Sequence, residues 1–568
     1  MRWNAERTDL LLFCLAAAIT ALALLRALGN DLVWDDRFLI LGAEELGETA
    51  RLHEILTTPF WQNSSHVAEL LLDYWRPLTT LALWTGAAAF GDWAPGFHLI
   101  SLLAALGAAL LLARLMRLAI GEPHLAVRWL AVLFLAHPLA AEVICLTANL
   151  ADHLVLIFAS AAVIAVYEAA RAARPARRLS LLAAAGLACA CACASKELGL
   201  VAVLAPAAAF ALRRCVDRRA PFRELLAPGA WIAVAAPAAA YLVSRHLVLD
   251  SAAGASGALP GISDYLRTAF FGLGEALASI FVPIPSGARV SVEVSNPVAI
   301  GLAALAWGAV LALFFRSVFR RRLAEPPLIG VSIAVALLLP SLLAVESTET
   351  SIVFPRRYFH PPLAGILVCI LPFAVRRWRA GARYVLPLLV SLLALLSWIR
   401  VDEWSDNVSF FQAEAHYNPD SAEARLSYAR SLTRARSFDR AERLLDEVDE
   451  MPAAQQPRLR VELLNERAAL KMLRDGDTRS AARLLERALV LDPTDLGSVL
   501  DLASVHATAG RPGRAARILR TALRSPWFRD HRRAEIEARL RRYEQMERRA
   551  ASDRADRPNA PLSKDTSR

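Results

Sequence analysis

The 568 residues exceed a single ordinary core, and 56% of them are hydrophobic, with a mean hydropathy of +0.37 that excludes an ordinary soluble protein. The formal charge of +10 does not point to nucleic acid, because the basic residues of the first 400 positions sit in short clusters between apolar runs, where membrane topology explains them. The seven cysteines are odd in number and fall mostly inside those runs, so no disulfide framework is indicated.

The first apolar run, 10–28, follows Arg2 and Arg7 and lacks a small-residue cleavage site after it. It reads as a membrane span with a cytoplasmic N-terminus. Next comes Leu32-Val33-Trp34-Asp35-Asp36-Arg37-Phe38, two adjacent carboxylates among apolar and aromatic residues. Further spans of about 20 residues are expected near 97–116, 127–146, 154–173, 179–194, 198–212, 230–248, 298–319, 328–345, 362–375 and 384–399, eleven in all.

With that count the arginine clusters at 114–128, 171–178, 213–223, 316–322 and 376–383 all lie inside, as the positive-inside rule requires. The opposite loops, external by the same parity, hold Asp35-Asp36, residues 137–153, Ser195-Lys196-Glu197 and residues 346–360. Two apolar stretches do not fit as spans: 78–90 is too short, and 265–283 would invert every later loop. Both read as interfacial or re-entrant helices over the external face. The expected organisation is a membrane domain over 1–400, with external loops 29–96 and 249–297, and a soluble part from 401.

Asp35-Asp36 suits a general base whose proton affinity is raised by its neighbour and by apolar surroundings, and a plain solvated turn is the alternative. His137 and Glu142, followed by Asp152-His153, offer metal ligands or a second acidic partner, or else local helix-end hydrogen bonds. Lys196 is the one lysine of the membrane part in a chain that otherwise uses arginine. A compact ammonium there suits a phosphate, while a snorkelling lysine balanced by Glu197 is the plain reading. Arg356-Arg357-Tyr358 places arginines outside, which calls for an anionic ligand or pairing with Glu346 or Glu349. Cys189, Cys191 and Cys193 do not share one helix face and read as packing residues.

Beyond 401 an internal repeat appears. Ala481 and Ala515 stand 34 residues apart, the tetratricopeptide period, with Ala468, Gly476, Ala488 and Pro493 at the small-residue and turn positions. Ala441 marks an earlier copy, 40 residues before Ala481, with the excess in 451–457. The repeats are expected near 421–450, 461–494 and 495–528 within a domain 401–548, and 549–568 reads as a disordered tail.

Taken in order, Trp34-Asp35-Asp36, Tyr74-Trp75-Arg76-Pro77-Leu78-Thr79-Thr80, Pro95-Gly96-Phe97-His98-Leu99, His137-Pro138 with Glu142 and Asp152, Ser195-Lys196-Glu197 and Arg357-Tyr358 resemble the transmembrane and tetratricopeptide repeat-containing proteins, which are O-mannosyltransferase-like members of the GT-C glycosyltransferase class. Two departures stand out: Asn149-Leu150-Ala151-Asp152 where the family has Gly-Arg-x-Asp, and Arg356 where it has Glu.

The resemblance implies an all-α polytopic GT-C-like bundle followed by an α-solenoid of repeats. It implies transfer of a sugar, a hexose such as mannose, from a polyprenyl-phosphate carrier to protein Ser or Thr hydroxyls on the external face. Asp35 and Asp36 are then the catalytic pair. Lys196, Glu197, Arg357, Tyr358, Arg245, His137, Glu142, Asp152 and Arg76 are the substrate-binding set. No cofactor is required and a divalent metal stays open. The expected partners are the lipid-linked sugar, membrane lipid and an acceptor polypeptide held by the repeats. The high arginine usage suggests a bacterial inner membrane with periplasmic repeats, and the endoplasmic reticulum is the alternative. The competing expectation is a membrane-anchored repeat scaffold that catalyses nothing, or a transferase for a glycan or lipid acceptor.

Overall fold

A computed structural model describes residues 2–36, 39–40, 56–57, 59–60, 74–120, 125–217, 220–221, 224–251, 261–319, 326–347, 351–377, 379–525, 528 and 530–555. Arg37, Phe38, Glu349, residues 41–55, 58 and 61–73 of the expected external loop 29–96, and 556–568 lie outside these residues. Two compact units are present, Met1–Phe410 and Phe411–Arg568.

The first unit contains α1 (Arg2–Leu25), α2 (Pro77–Phe90), α3 (Ala94–Ile120), α4 (Leu125–Ala136), α5 (Pro138–Cys145), α6 (Leu150–Arg171), α7 (Pro175–Ser195), α8 (Ala205–Val216), α9 (Pro228–Ser251), α10 (Ile262–Phe281), α11 (Pro297–Phe319), α12 (Pro326–Leu338), α13 (His360–Arg377) and α14 (Arg379–Glu403). Seven stretches are helical, long and apolar enough to cross a bilayer: Arg7–Gly29, Ala94–Ala119, Thr147–Arg171, Pro175–Ser195, Pro228–Leu249, Pro297–Ser317 and Tyr384–Glu403. The pair Val127–Ala136 and Pro138–Cys145, bent by 58°, makes an eighth if counted as one broken span.

The expected eleven spans are therefore too many among the described residues. Residues 198–212 divide into a 3-10 segment, Glu197–Leu204, and α8. The cause is a tight reversal: a Cβ on Gly199 would lie 1.9 Å from the Ala192 carbonyl oxygen, so only glycine allows the chain to fold back on α7. Residues 328–345 end as a helix at Leu338, where a 3-10 segment, Leu339–Ala344, carries Pro340. The 18-residue helix α13 is not among the seven spans.

The fold is all-α as expected, and among the described residues it carries one small antiparallel sheet that the sequence did not announce, in the order β1 (Arg289–Glu293), β3 (Ser351–Pro355), β2 (Glu346–Ser347). Arg289 pairs with Pro355 and Glu293 with Ser351. Alternation decides its two faces: Val292, Ile352 and Phe354 are buried, Phe354 close to Gly272 of α10, while their neighbours are more exposed. Helices α6 and α7 pack along a seam of small residues that includes Ala185, Cys189, Ala192 and Cys193, and the Cys189 thiol reaches the Val234 carbonyl at 3.3 Å. Large apolar side chains such as Leu103, Leu187 and Leu305 face outward, as lipid-facing positions do.

The second unit begins inside α15 (Asn407–Tyr417) and continues with three helix hairpins: α16 (Ala422–Arg434) with α17 (Phe438–Glu450), α18 (Pro457–Asp475) with α19 (Thr478–Leu491), and α20 (Leu496–Thr508) with α21 (Pro512–Arg524). A last helix, α22 (Asp530–Ala555), packs on α21. Ala441, Ala481 and Ala515 are fully buried where paired helices approach. Each hairpin turns on one left-handed residue, Arg436, Gly476 and Gly510, at φ of 58°, 62° and 70°. The excess before the second repeat contains a four-residue 3-10 turn, Pro452–Gln455. Residues 549–555 of the expected tail are helical, the end of α22, and the rest of it lies outside the described residues.

Candidate functional site

The loop after α1 is fastened before it reaches its carboxylates. Asn30 donates through Nδ2 to the carbonyls of Val401 (2.9 Å) and Trp404 (3.0 Å), and the Asp31 amide donates to Ser405. Trp34 then adopts φ 54°, a left-handed conformation that costs a bulky residue about 1–3 kcal/mol. Its amide donates to Asn407 Oδ1 at 2.9 Å and its ring stacks on Phe410 at 5.4 Å. These contacts hold the strained turn, and the turn sends the two following side chains in different directions.

Asp36 points inward and is completely buried. Its carboxylate accepts from the amides of Thr147 (2.8 Å) and Ala148 (2.6 Å), which precede α6. Burial pushes its carboxyl up to about 8 against the pull of those two donors. Asp35 is half-buried and makes no hydrogen bond among the described residues. Burial holds its carboxyl above the usual range, while Arg357 and Arg289 draw it down. The adjacent acids are thus unlike: one is a fixed strut and the other is available.

Asp35 belongs to a continuous string of charged and aromatic groups. The sheet delivers two of them, Arg289 at the start of β1 and Arg357 just past the end of β3. Their guanidinium carbons lie 5.3 Å and 5.1 Å from the Trp34 ring centre. Arg357 also lies 5.6 Å from the Tyr358 ring, whose other neighbour is the Lys196 ammonium at 5.5 Å. Lys196 Nζ bonds Asp152 Oδ1 at 2.7 Å. Behind them Arg76 donates through Nε and Nη2 to Glu197 Oε2 at 3.0 and 2.9 Å, and lies 4.5 Å from the Tyr74 ring. Thr79 bonds the Ser195 carbonyl at 2.7 Å and so fixes α2 to the end of α7 where Lys196 emerges.

Two of the expected substrate-binding residues, His137 and Glu142, do not join this string. His137 caps α5: its Nδ1 accepts from the Leu139 amide at 3.2 Å and its Nε2 pairs with the Ile280 carbonyl at 3.1 Å, so both ring nitrogens are occupied. Glu142 is buried in an ion pair with Arg400 at 2.8 Å, and Arg400 also bonds Glu403 (2.7 Å) and the Ser286 carbonyl (2.8 Å). Arg245 lies one turn beyond Tyr241, whose hydroxyl donates to the Trp75 carbonyl and whose ring stacks on Trp75 at 5.3 Å. Arg356, beside Arg357, turns inward to Ser286 and Ile284. Among the described residues no group of three or more His, Cys, Asp or Glu could hold a metal ion.

Sequence reasoning missed Arg289, although it lies in a loop assigned outside and breaks the same charge rule that singled out Arg357. It missed Arg400 because that residue sits at the edge of an apolar run, where it reads as a boundary charge.

In its chemistry the arrangement offers one proton-accepting carboxylate beside two guanidiniums and an ammonium, on a floor of aromatic rings. Such a site suits an anionic group and a hydroxyl brought together.

A family model described as tetratricopeptide repeat matches residues 472–526, which span the end of α18 through α21. No curated protein matches the chain. Among solved structures, that of the yeast Tom70 aligns over 72% of this chain and 92% of its own at 12% identity, with a TM-score of 0.21, too low for an argument from shared fold.

Proposed function

We propose that the first unit is an integral-membrane glycosyltransferase that moves a sugar from a polyprenyl phosphate to a hydroxyl, and that the repeat unit receives the acceptor polypeptide. The observation that carries this reading is the half-buried Asp35 set between Arg289 and Arg357, and joined through Tyr358 to Lys196. Asp35 takes the proton from the acceptor hydroxyl as its oxygen attacks the anomeric carbon. The bond to the carrier oxygen breaks and the polyprenyl phosphate leaves as an anion, neutralised by Arg357 and Lys196. Asp36 holds the loop rather than touching substrate, and Arg2 and Arg7 ahead of the first span support an external, periplasmic or lumenal, face for the loop that follows it.

A second reading, a membrane-anchored scaffold that recruits proteins and catalyses nothing, is favoured by the tetratricopeptide match, since stacked helix hairpins bind polypeptide. Asp35→Asn and Asp36→Asn separate the two. In membranes supplied with polyprenyl-phosphate hexoses and external proteins as acceptors, Asp35→Asn is expected to abolish hexose transfer while leaving protein level and Tm intact, and Asp36→Asn to shift Tm. Equal transfer by wild type and Asp35→Asn sinks the enzyme reading. Capture of external proteins by wild type with no hexose transfer leaves the scaffold.

A further inference from the structure

In the repeat unit the first helices of successive hairpins, α16, α18 and α20, pack against one another. They are joined by Arg430 with Glu466, and by Asn465, which donates to Asp495 at 3.1 Å and accepts from Ser498 at 2.7 Å. The second helices behave differently. Each of α17 and α19 packs on its own first helix and on the next one, so the second helices stand apart on the opposite face. Between α19 and α21 this spread opens a cleft of about 670 Å³, within the ~300–1,000 Å³ usual for binding pockets.

The cleft has an apolar floor of Leu489, Val499, Ile518 and Phe528. One wall is a stripe of α21 at helical spacing, Arg514, Arg517 and Thr521, continued by Ser525 at its C-cap. Helix α21 carries Arg514, Arg517, Arg520 and Arg524 and no acid. Arg514 shares Glu486 at 3.6 Å and Arg520 shares Glu544 at 3.0 Å, both near solvent, whereas Arg517 has no carboxylate partner among the described residues. The first-helix face differs in charge, since Glu462, Glu466 and Asp501 gather there around Arg430.

We propose that this cleft is a second polypeptide site, distinct from the first-helix face, and that it takes an acidic segment carrying an apolar or aromatic anchor side chain. The recessed floor receives the anchor, and Arg514 and Arg517 at the rim receive carboxylates on either side of it. A lipid surface fits less well, because the apolar area lies in a recess beneath the arginines instead of projecting beyond them. The inference does not depend on the transferase reading.

The test uses the full chain in nanodiscs of zwitterionic lipid and a short fluorescent peptide with one Trp flanked by Glu and Asp. Saturable binding is expected, weakened by added salt. It should fall roughly tenfold or more in Arg514→Glu/Arg517→Glu and in Thr521→Trp, which plugs the cleft from an exposed position. It should be unchanged in Glu462→Gln on the other face, and a Lys-flanked peptide should bind at least about tenfold more weakly. Absence of saturable binding overturns the proposal. So does binding that survives both cleft variants with Tm intact, and so does capture of anionic vesicles that the peptide fails to compete.

Discussion

Arg400 in the first unit and Arg467 in the repeat unit each meet two carboxylates at hydrogen-bond distance. Arg400 reaches Glu142 at 2.8 Å and Glu403 at 2.7 Å with 4% of its side chain exposed, while Arg467 reaches Asp446 and Asp449 at 2.9 Å with 29% exposed. The geometry is the same and the energetics are not. In the first unit the charges have left water, so each is tolerable only through its partners. In the repeat unit water and neighbouring chains of charge already satisfy them, and stability comes from the alanine seam instead. The first unit therefore spends polar groups on positioning, the second on solubility and surface selectivity.

Breaking the buried network should have the largest effect. Arg400→Met removes the guanidinium that bonds Glu142 and Glu403 and the donor to the Ser286 carbonyl. A loss of about 3–5 kcal/mol is expected, read as a steep fall in Tm and in folded yield from detergent. The double variant Arg400→Met/Glu142→Leu should recover a large part of it, because replacing both partners removes the stranded charge. Failure of the double variant to recover would show that Arg400 acts through something other than its partners.

A comparable effect, spread over pH, separates the two adjacent acids. The Asp36 carboxyl stands at about 8 in the folded protein against 3.8 in its absence. The native state therefore keeps a proton there that the unfolded chain has released. Stability contributed by Asp36 is complete below about 4, falls as pH rises and is gone above about 8. Asp36→Asn does not titrate, so the gap between the two proteins should move in favour of the variant by up to about 1 kcal/mol per pH unit across that window. Scanning fluorimetry of both proteins at a series of pH values reads it directly. A gap that stays constant with pH would place the Asp36 charge in water.

The same contrast governs what could be read from the chain alone. The repeats were legible because burial there follows a period: Ala481 and Ala515 recur at 34 residues and both are fully buried. The long spans were legible because hydropathy integrates over a whole helix. The overcount arose where one residue decides the outcome, as Pro340 does after α12 and Gly199 does after α7. A window average cannot register either. The sheet escaped because its strands are at most five residues long and β1 pairs with a segment some 60 positions away. Within the site, the string from Asp35 through Arg357 and Tyr358 to Lys196 joins residues whose types already stood out. The left turn at Trp34, which makes Asp36 a strut and leaves Asp35 available, depends on Asn407 and Phe410 and leaves no trace in the local sequence.

The smallest effect completes the comparison from the other side. Arg467→Ala removes both pairs to Asp446 and Asp449. The cost should be only about 0–1 kcal/mol, since the guanidinium and its partners are already hydrated and Arg460 still holds Asp449. Added salt should shrink it further, because screening acts on exposed pairs and hardly on buried ones. Measured beside Arg400→Met in low and high salt, the two variants should differ both in size and in salt response. If Arg467→Ala proved as costly as Arg400→Met, or equally insensitive to salt, exposure would not be what separates the two units. The acidic residues along α17 would then have to be treated as part of the repeat unit's core.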